Sequence, residues 1–367
     1  MKICILSMQK VNNYGSVLQA YSLKKNIENL GHTVDFIDIK KGQNEELNSQ
    51  CSAQAVSDKV AKNNWICQKM KGIVNKISSR ETSKIYSQFR EHELGIGNGD
   101  NLKRYDVCVI GSDEVFNCLQ KSKWGFDPQL FGEVEVADRV ITYAASCGST
   151  NVDKLTKGLK IAIGKAMTNL SAISVRDENT ASFVKAFSKK EYVYNLDPVA
   201  ITDFRKEIEN TSLNKKLTKP YCIVYAYKDR ICNKNEIDAI LNYCNENNLE
   251  IIAPFGKQRW ISEKGYHFTP FELLKLFQNS ECIITDTFHG TIFGAKFAKK
   301  MAIIVRESNK NKLEDLTKRL EIEQHILRDC NNLHNILSIE LNKKNIDSIL
   351  EKEREKSLEY LKSNLER

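Results

Sequence analysis

The chain has 367 residues, of which 41% are hydrophobic and 28% charged, with 17 glycines and 5 prolines. These values are typical of a folded protein of about two domains and exclude a disordered or collagen-like chain. The formal net charge is +8, but basic and acidic residues are interspersed, so we expect a generally basic surface and no nucleic-acid partner. Eleven cysteines without a C-x-x-C pair predict reduced, mostly buried thiols in a cytoplasmic protein and no metal site.

The N-terminal segment alternates between strand and helix periodicity. The apolar run 3–6 has the length of a buried strand, and residues 14–30 carry apolar side chains at helical spacing before Gly31 ends the pattern. Residues 33–37 predict the next strand. A strand, a helix and a second strand in so short a span indicate a βαβ unit with parallel strands.

Further predicted strands each end in polar residues or glycine. They lie at 107–110, 141–145, 172–175 and 192–194 in the N-terminal half, and at 222–226, 251–254, 283–285 and 302–305 in the C-terminal half. Residues 53–95 predict a pair of helices. Because ligands bind outside the carboxyl ends of parallel strands, the polar clusters that follow these strands are the candidate sites.

The alternation of strands and helices predicts an α/β fold of two Rossmann-like domains that face each other across a cleft. We place the N-terminal domain at 1–200, the linker at 201–220 and the C-terminal domain at 221–335. A helix is predicted at 336–367, and its apolar stripe should dock on the protein itself. The stripe consists of Ile346, Leu350, Leu358, Leu361 and Leu365.

The strongest local motif is the segment TDTFHGT at 285–291. It follows a strand and opens an apolar helix, so His289 should lie at a helix N-terminus. Backbone N–H groups at such a position favour an anion. The alternative is a histidine that only caps the helix.

Three other clusters follow predicted strands. Arg176 could hold a carboxylate or phosphate as a fixed fork, or pair with a neighbouring carboxylate. Asp113 and Glu114 could accept a proton from a hydroxyl substrate or cap the following helix. The turn at 12–15 offers backbone donors to a ligand, or is a plain connection between strand and helix.

Five segments in order resemble the polysaccharide pyruvyl transferase family over most of the chain: NYGSVLQAY, VIGSDEVFN, ISVRD, LDPV and TDTFHGTIFGAKFAKKMAII. The resemblance implies a glycosyltransferase-B-like fold. It also implies transfer of pyruvate from phosphoenolpyruvate to two hydroxyls of one sugar, which forms a cyclic ketal. The sequence is most similar to enzymes of capsular polysaccharide clusters, where galactose on a lipid-linked precursor is an acceptor.

The resemblance also implies roles for individual residues. His289 is the expected general acid and phosphate ligand, with Gly290 beside it at the helix N-terminus. Arg176 would bind the carboxylate or phosphate of phosphoenolpyruvate, and a basic residue past the last strand, Lys312 or else Lys310, would complete this site. Asp113 would hold or deprotonate the acceptor hydroxyl. The other expected acceptor contacts are Asn13, Tyr14, Gly15, Ser112, Glu114 and Asn117.

Phosphoenolpyruvate would be the donor substrate, and no cofactor is expected. The acceptor would be a sugar or a lipid-linked oligosaccharide, which would bring a cytoplasmic enzyme to the inner face of the plasma membrane. Two residues depart from the family pattern. Ser16 stands where some relatives carry an acidic residue, and Cys147, which we take as a space-filling side chain, lies in a segment that is often S-x-G.

Two other functions fit the same architecture. The chain could be a nucleotide-sugar glycosyltransferase, which would bind a nucleotide sugar but not phosphoenolpyruvate. It could also be a non-catalytic scaffold in polysaccharide assembly, although the presence of both His289 and Arg176 argues against that.

Overall fold

The computed structural model describes residues 1–39, 80–97, 104–119, 125–213, 217–262 and 267–366. The contacts among these residues divide the chain into two compact units, each built around a parallel β-sheet. Unit 1 comprises Met1–Arg176, Thr180–Tyr194 and Leu361–Arg367. Unit 2 comprises Asp177–Asn179 and Asn195–Tyr360.

Unit 1 contains all the strands predicted for the N-terminal half. They are β1 (Lys2–Leu6), β2 (Thr33–Phe36), β3 (Tyr105–Gly111), β4 (Ala137–Tyr143), β5 (Leu170–Val175) and β6 (Tyr192–Tyr194). All pairings are parallel, and the order in the sheet is β2-β1-β3-β4-β5-β6. Strand β2 therefore lies on one side of β1 and β3 on the other, so the direction in which successive strands are added reverses between β1 and β3. The loops after these two strands flank this reversal point, where ligands bind in such sheets.

The central strands of this sheet are continuous apolar runs. Residues 3–6 of β1 and 107–110 of β3 are completely buried, and Cys4 is aligned with Cys108 between them. Strands whose two faces are both buried carry such runs instead of alternating polar and apolar residues. This is why the strands could be recognised in the sequence.

Two helices of unit 1 begin at recognisable capping residues, Asn13 and Thr156. Helix α1 (Tyr14–Asn29) starts after Asn13, whose side chain accepts a hydrogen bond from the Gly15 N–H at 2.8 Å, and Gly31 after it has a φ of 87°. Residues 80–89 form a helix that continues as a π-helical turn, Arg90–Leu94, in agreement with the helical prediction for this segment. Residues 53–79 of that prediction lie outside the described residues. The other α-helices among the described residues of this unit are α2 (Lys157–Met167) and α3 (Glu178–Phe187).

Unit 2 has a four-stranded parallel sheet made of the strands predicted for the C-terminal half. They are β7 (Tyr221–Tyr225), β8 (Glu250–Ile252), β9 (Cys282–Thr285) and β10 (Met301–Ile303), in the order β10-β9-β7-β8. The reversal point of this sheet lies between β7 and β9. The helices are α4 (Pro198–Ile201), α5 (Arg205–Glu209), α6 (Lys234–Glu246), α7 (Pro270–Gln278), α8 (Phe288–Phe297), α9 (Lys310–Arg319), α10 (Leu333–Ser338) and α11 (Lys343–Leu365), of which the residues from Leu361 onwards belong to unit 1.

Helix α8 is held in unit 2 by a cluster of aromatic rings. The ring centroids of Tyr225, Phe277 and Phe293 lie 5.5–5.9 Å apart with nearly perpendicular planes. Such edge-to-face contacts between large buried side chains contribute both burial and orientation. The cluster joins β7, α7 and α8, and it fixes the helix that carries His289.

Two segments outside the sheets differ in detail from the sequence-based expectation. The predicted linker at 201–220 includes helix α5, and its described residues belong to unit 2. The predicted C-terminal helix is two helices, α10 and α11, separated by residues 339–342. Its apolar stripe is buried at Ile346, Leu350, Leu361 and Leu365, which confirms that it packs on the protein itself.

The described cysteines confirm the prediction of buried thiols. Each is free, and seven are buried: Cys4, Cys108, Cys118, Cys147, Cys222, Cys244 and Cys282. Cys147 has no exposed surface, and its backbone N–H donates to the Thr180 hydroxyl at 2.9 Å. This environment agrees with the space-filling role expected for its side chain.

A buried histidine makes the stability of unit 2 dependent on pH. His325 is completely buried at the end of a 3₁₀ turn, Glu323–His325, and burial lowers its pKa below 6.5 despite an opposing interaction with the Met301 backbone. Below pH 6.5 the unfolded chain therefore binds a proton that the folded chain resists. The contribution of His325 to the free energy of unfolding is fully present above pH 6.5. It is lost as the pH falls, by at most about 1.4 kcal/mol per pH unit.

We expect His325→Leu to reduce the loss of unfolding free energy between pH 7.5 and 5.5, measured by urea denaturation. The leucine cannot bind a proton in the folded or the unfolded state, so the part of the pH dependence that His325 causes disappears. The exposed His92 provides a matched control, and His92→Leu should retain the wild-type pH dependence. Equal pH slopes for wild type and His325→Leu would contradict the assignment.

Candidate active site

The turn between β9 and α8 is built by threonine hydroxyls. Thr285 Oγ1 donates to the Tyr225 carbonyl at 2.7 Å, and Thr287 Oγ1 accepts from the Gly290 N–H at 2.9 Å as the N-cap of α8. This geometry places His289 in the first turn of the helix with 13% of its side chain exposed. The predicted position at a helix N-terminus is therefore present, beside N–H groups that have no intrahelical partner.

His289 has a carboxylate neighbour that sequence reasoning did not assign. Its Nε2 lies 3.4 Å from Oδ2 of Asp197, which has no exposed surface. The other carboxylate oxygen of Asp197 accepts from the Val199 N–H at 3.0 Å and caps helix α4. A buried carboxylate at this distance orients the imidazole ring. The only sequence signal for it was the aspartate that precedes Pro198 in the LDPV segment.

A second charged cluster lies at the reversal point of the same sheet. Asp286, directly after β9, is completely buried, and its Oδ2 lies 3.1 Å from Nε of Arg230 and 3.6 Å from Nε of Arg306. Burial raises the pKa of Asp286, and the two guanidinium groups oppose that shift. Arg306 also forms a two-pronged ion pair with Glu236 at 2.6 and 2.8 Å. Two arginines therefore converge next to the first turn of α8.

Arg230 is held by a tightly bonded loop after β7. Its Nη2 donates to the Ser308 hydroxyl at 2.5 Å, and its guanidinium carbon lies 5.4 Å from the ring centre of Tyr227. The buried Gln258 organises this loop, because its amide donates to the Tyr227 carbonyl and accepts from the Ile231 N–H. A quarter of the Arg230 side chain remains exposed, so it can meet a ligand at the carboxyl ends of the strands.

The structure adds Arg306 to the predicted basic residues past the last strand. Lys310 is exposed at the start of α9, and Lys312 is half-buried in its first turn. The preceding residue, Asn309, donates to the Asp286 carbonyl at 2.6 Å and accepts from the Arg306 N–H at 2.9 Å. The start of α9 is thus tied to the cluster, in which Arg306 contacts Asp286 alongside Arg230.

In unit 1, Asp113 occupies the loop after β3 at the reversal point of the sheet. Its φ of 73° lies in the left-handed region, which is uncommon for a residue with a side chain. Oδ2 accepts from the Ser16 hydroxyl at 2.7 Å and Oδ1 from the Glu114 N–H at 2.9 Å. Ser16 therefore makes a direct contact with the predicted base.

The buried Gln19 joins the loops after β1 and β3. Its amide nitrogen donates to the Ser7 hydroxyl at 2.7 Å, and its oxygen accepts from the Ser112 N–H at 3.1 Å. Ser7 Oγ in turn donates to the Ser112 carbonyl at 3.1 Å. The network holds the two loops together and fixes the backbone that precedes Asp113. Gln19 lies in the NYGSVLQAY segment but received no role from the sequence.

The other predicted acceptor residues take part in local structure. Asn13 and Gly15 form the N-cap of α1. Tyr14 is buried, with its ring 5.2 Å from that of Tyr86. Glu114 accepts from the Asn117 amide at 2.7 Å, and Asn117 accepts from the Thr150 hydroxyl at 3.0 Å. The acceptor role of these residues stays a prediction.

Arg176 follows β5 directly, as the sequence predicts. Its backbone N–H donates to the Ala145 carbonyl at 2.9 Å, and only 2% of the residue is exposed. It belongs to unit 1, whereas His289 belongs to unit 2. Its role in donor binding, and the common cleft expected for the polar clusters of both domains, stay predictions.

Comparison with solved structures confirms the fold class. A putative UDP-N-acetylglucosamine 2-epimerase from Listeria monocytogenes aligns with a TM-score of 0.54 and 11% identity over 100% of this chain and 96% of its own. The S. aureus MnaA–UDP co-structure aligns with a TM-score of 0.46 and 13% identity over 96% and 90% of the two chains. Two Rossmann-like units and the parallel sheets define a fold of the glycosyltransferase-B type.

Comparison with protein families identifies the class of enzyme within this fold. The profile of the polysaccharide pyruvyl transferase family matches residues 13–308, so the chain belongs to that family and is a transferase. The resemblance inferred from the five segments is confirmed. No curated protein matches the sequence significantly. Among the described residues, no helix is both long and apolar enough to cross a membrane.

Proposed function

We propose that this protein transfers pyruvate from phosphoenolpyruvate to two hydroxyls of a sugar and forms a cyclic ketal. The observation that carries the proposal is the position of His289, in the first turn of α8 with its Nε2 facing the buried carboxylate of Asp197. An imidazolium at a helix N-terminus combines a proton donor with an anion-binding environment. Membership of the polysaccharide pyruvyl transferase family supports this reaction class.

The proposed reaction needs one proton donor and one proton acceptor. His289 protonates the C3 methylene of phosphoenolpyruvate, which becomes a methyl group, while one sugar hydroxyl forms a bond to C2 and loses its proton. The second hydroxyl then forms a bond to C2, the bond from C2 to the phosphate oxygen breaks, and inorganic phosphate leaves with the proton. Donor and diol together account for all atoms of the ketal and phosphate, so no further cofactor is required.

Unit 2 provides the groups that suit the donor. The N–H groups at the start of α8 and the exposed part of Arg230 lie at the reversal point of its sheet. Lys310 is the first residue of α9, and the preceding Asn309 hydrogen-bonds to the Asp286 carbonyl. Phosphate and carboxylate groups bind most strongly to such convergent N–H donors and cations. We therefore place phosphoenolpyruvate here, with Arg230 added to the residues expected from the sequence.

Unit 1 provides a group that suits the acceptor. Asp113 is partly exposed, and its carboxylate is oriented by Ser16 and the Glu114 N–H. An oriented carboxylate can hold a sugar hydroxyl and accept its proton. We propose Asp113 as this base and a sugar, carried on a lipid-linked oligosaccharide, as the acceptor. Such an acceptor would bring the enzyme to the inner face of the membrane.

Ligand-dependent thermal unfolding tests the donor without knowledge of the acceptor. We expect phosphoenolpyruvate at about 100 times its dissociation constant to stabilise the wild type by about 2.7 kcal/mol. The His289→Ala variant should show a smaller shift, because it loses a phosphate contact. UDP-N-acetylglucosamine, tested at the same concentrations, should leave the transition unchanged.

The same experiment can contradict the proposal. A shift with UDP-N-acetylglucosamine and none with phosphoenolpyruvate would favour a nucleotide-sugar transferase of the same fold. If phosphoenolpyruvate binds, the next measurement is phosphate release and a pyruvate ketal, detected by mass spectrometry, with galactose-containing acceptors. Binding of phosphoenolpyruvate equally by wild type and His289→Ala would remove His289 from the donor site.

A further inference from the structure

Helix α8 carries a lysine on the same face as His289. Lys296 follows His289 by seven positions, which is two helical turns, so both side chains project towards the same side of the helix. Part of the Lys296 residue reaches the surface, but its ammonium lies among protein groups. Its Nζ donates to the Ala200 carbonyl at 2.6 Å and to the Thr202 carbonyl at 2.8 Å.

The carbonyls that Lys296 binds belong to the segment that begins with the partner of His289. Asp197 caps the N-terminus of α4, and Ala200 and Thr202 lie at its C-terminal end. The segment is therefore attached to α8 at both ends, by the His289–Asp197 contact and by the Lys296 ammonium. Phe204 adds an edge-to-face contact with Phe297 at 6.3 Å, and Lys296 lies 5.8–5.9 Å from both ring centres.

We infer that Lys296 is a positioning residue, which holds the Asp197 carboxylate against His289 by binding the carbonyls at the other end of α4. The two carbonyls accept from a single cation, so loss of the ammonium removes the hydrogen bonds that tie the C-terminal end of this short segment to α8. Asp197 then loses its fixed distance to the imidazole. The inference rests on the proposed function only in its kinetic consequence.

The electrostatic environment makes this attachment sensitive to pH. Desolvation lowers the pKa of Lys296 to about 7, Asp203 and Asp347 raise it, and Arg354 and Lys343 lower it further. The charged ammonium is therefore lost as the pH rises through about 7, while the neutral amine retains only weaker donors. We expect the rate of pyruvate transfer to fall on the alkaline side for this reason.

Lys296→Met tests the inference, because methionine keeps an unbranched chain between the two rings but has no N–H donor. The matched control is Lys275→Met, since Lys275 in α7 likewise donates to backbone carbonyls of unit 2, those of Ile208 and Thr211. The first measurement is the ¹⁵N–¹H spectrum of the imidazole of His289, assigned with His289→Asn. We expect Lys296→Met to move this signal in the same direction as Asp197→Asn, and Lys275→Met to leave it in place.

The second measurement is the pH profile of kcat with phosphoenolpyruvate. Lys296→Met should lower kcat about ten- to a hundredfold with little change in the KM for the donor, and its alkaline limb near pH 7 should disappear.

Wild-type imidazole signals and wild-type kcat in Lys296→Met, or equal changes in Lys275→Met, would overturn the inference. If the wild type transfers no pyruvate, the proposed function fails and the imidazole spectrum alone decides the role of Lys296. If Lys296→Met does not fold, Lys296→Gln, which retains fewer donors, should give an intermediate shift of the same signal.

Discussion

Replacing His289 by glutamine should lower kcat for pyruvate transfer about 10²–10⁴-fold while the protein stays folded. Glutamine fills a similar volume and can still hydrogen-bond, but it cannot donate a proton to carbon, and general acid catalysis has an effect of this size. The buried Asp197 carboxylate would lose its contact with the imidazole, so a moderate loss of stability should accompany the kinetic effect. Steady-state kinetics and thermal unfolding of the same preparation measure the two effects separately.

His334 provides the matched control for this experiment. Its Nε2 lies 3.5 Å from a carboxylate oxygen of Glu246, so it is also a histidine beside a carboxylate in unit 2. Its side chain is 47% exposed on α10, which does not follow a strand of the sheet. His334→Gln should therefore keep wild-type kcat and KM. An equal loss of activity in both variants, or full activity in His289→Gln, would remove His289 from the catalytic role.

Replacing Gly290 by alanine should lower both the stability of unit 2 and the activity. A Cβ atom at this position would overlap Thr285 Oγ1 and approach Thr287 Oγ1 and Tyr225 Cδ1 to 2.6 and 2.7 Å. These neighbours form the capped turn and the aromatic cluster under α8, so they cannot move without shifting the helix. Overpacking of this kind costs about 1–3 kcal/mol of unfolding free energy. The displaced first turn would also move His289.

Gly164 in helix α2 allows a matched comparison. It is also a helical glycine, but a Cβ atom added there meets nothing within 4 Å. Gly164→Ala should therefore stabilise the protein by about 0.5–1 kcal/mol, because alanine restricts the unfolded chain and favours the helix. Urea denaturation of both variants gives the two values. A neutral or stabilising Gly290→Ala would show that the turn before α8 is more adaptable than its contacts indicate.

The central strands of both sheets could be predicted because they are buried on both faces. Such strands carry continuous apolar runs, and polar residues or glycine mark their ends, so 3–6, 107–110 and 283–285 were recognisable without any contact information. The position of His289 followed in the same way, since a threonine cap and an apolar helix come directly after β9. These features depend on residues that are neighbours along the chain, so they can be predicted from the amino-acid sequence.

The sequence did not predict the ion pairs between buried or half-buried charged residues in the candidate site. Arg306 immediately follows the last strand region, yet its pairing with Glu236 and Asp286 could not be recognised, and the two lysines of α9 were preferred. Asp113 lies after β3, as the sequence predicts, but its contact with Ser16 depends on the loop after β1. Each missed contact joins segments that are distant in the chain.

The amino-acid order was therefore sufficient for the secondary structure, the family and the histidine at a helix N-terminus, because short-range periodicity and contiguous motifs specify them. The strand orders required the folded chain, since the side on which each crossover returns depends on packing between helices and sheets. The Asp197–His289 contact, the two arginines at Asp286 and the Lys296 attachment depend on those orders. Their partners come together only when burial of separate apolar segments has closed the loops between them.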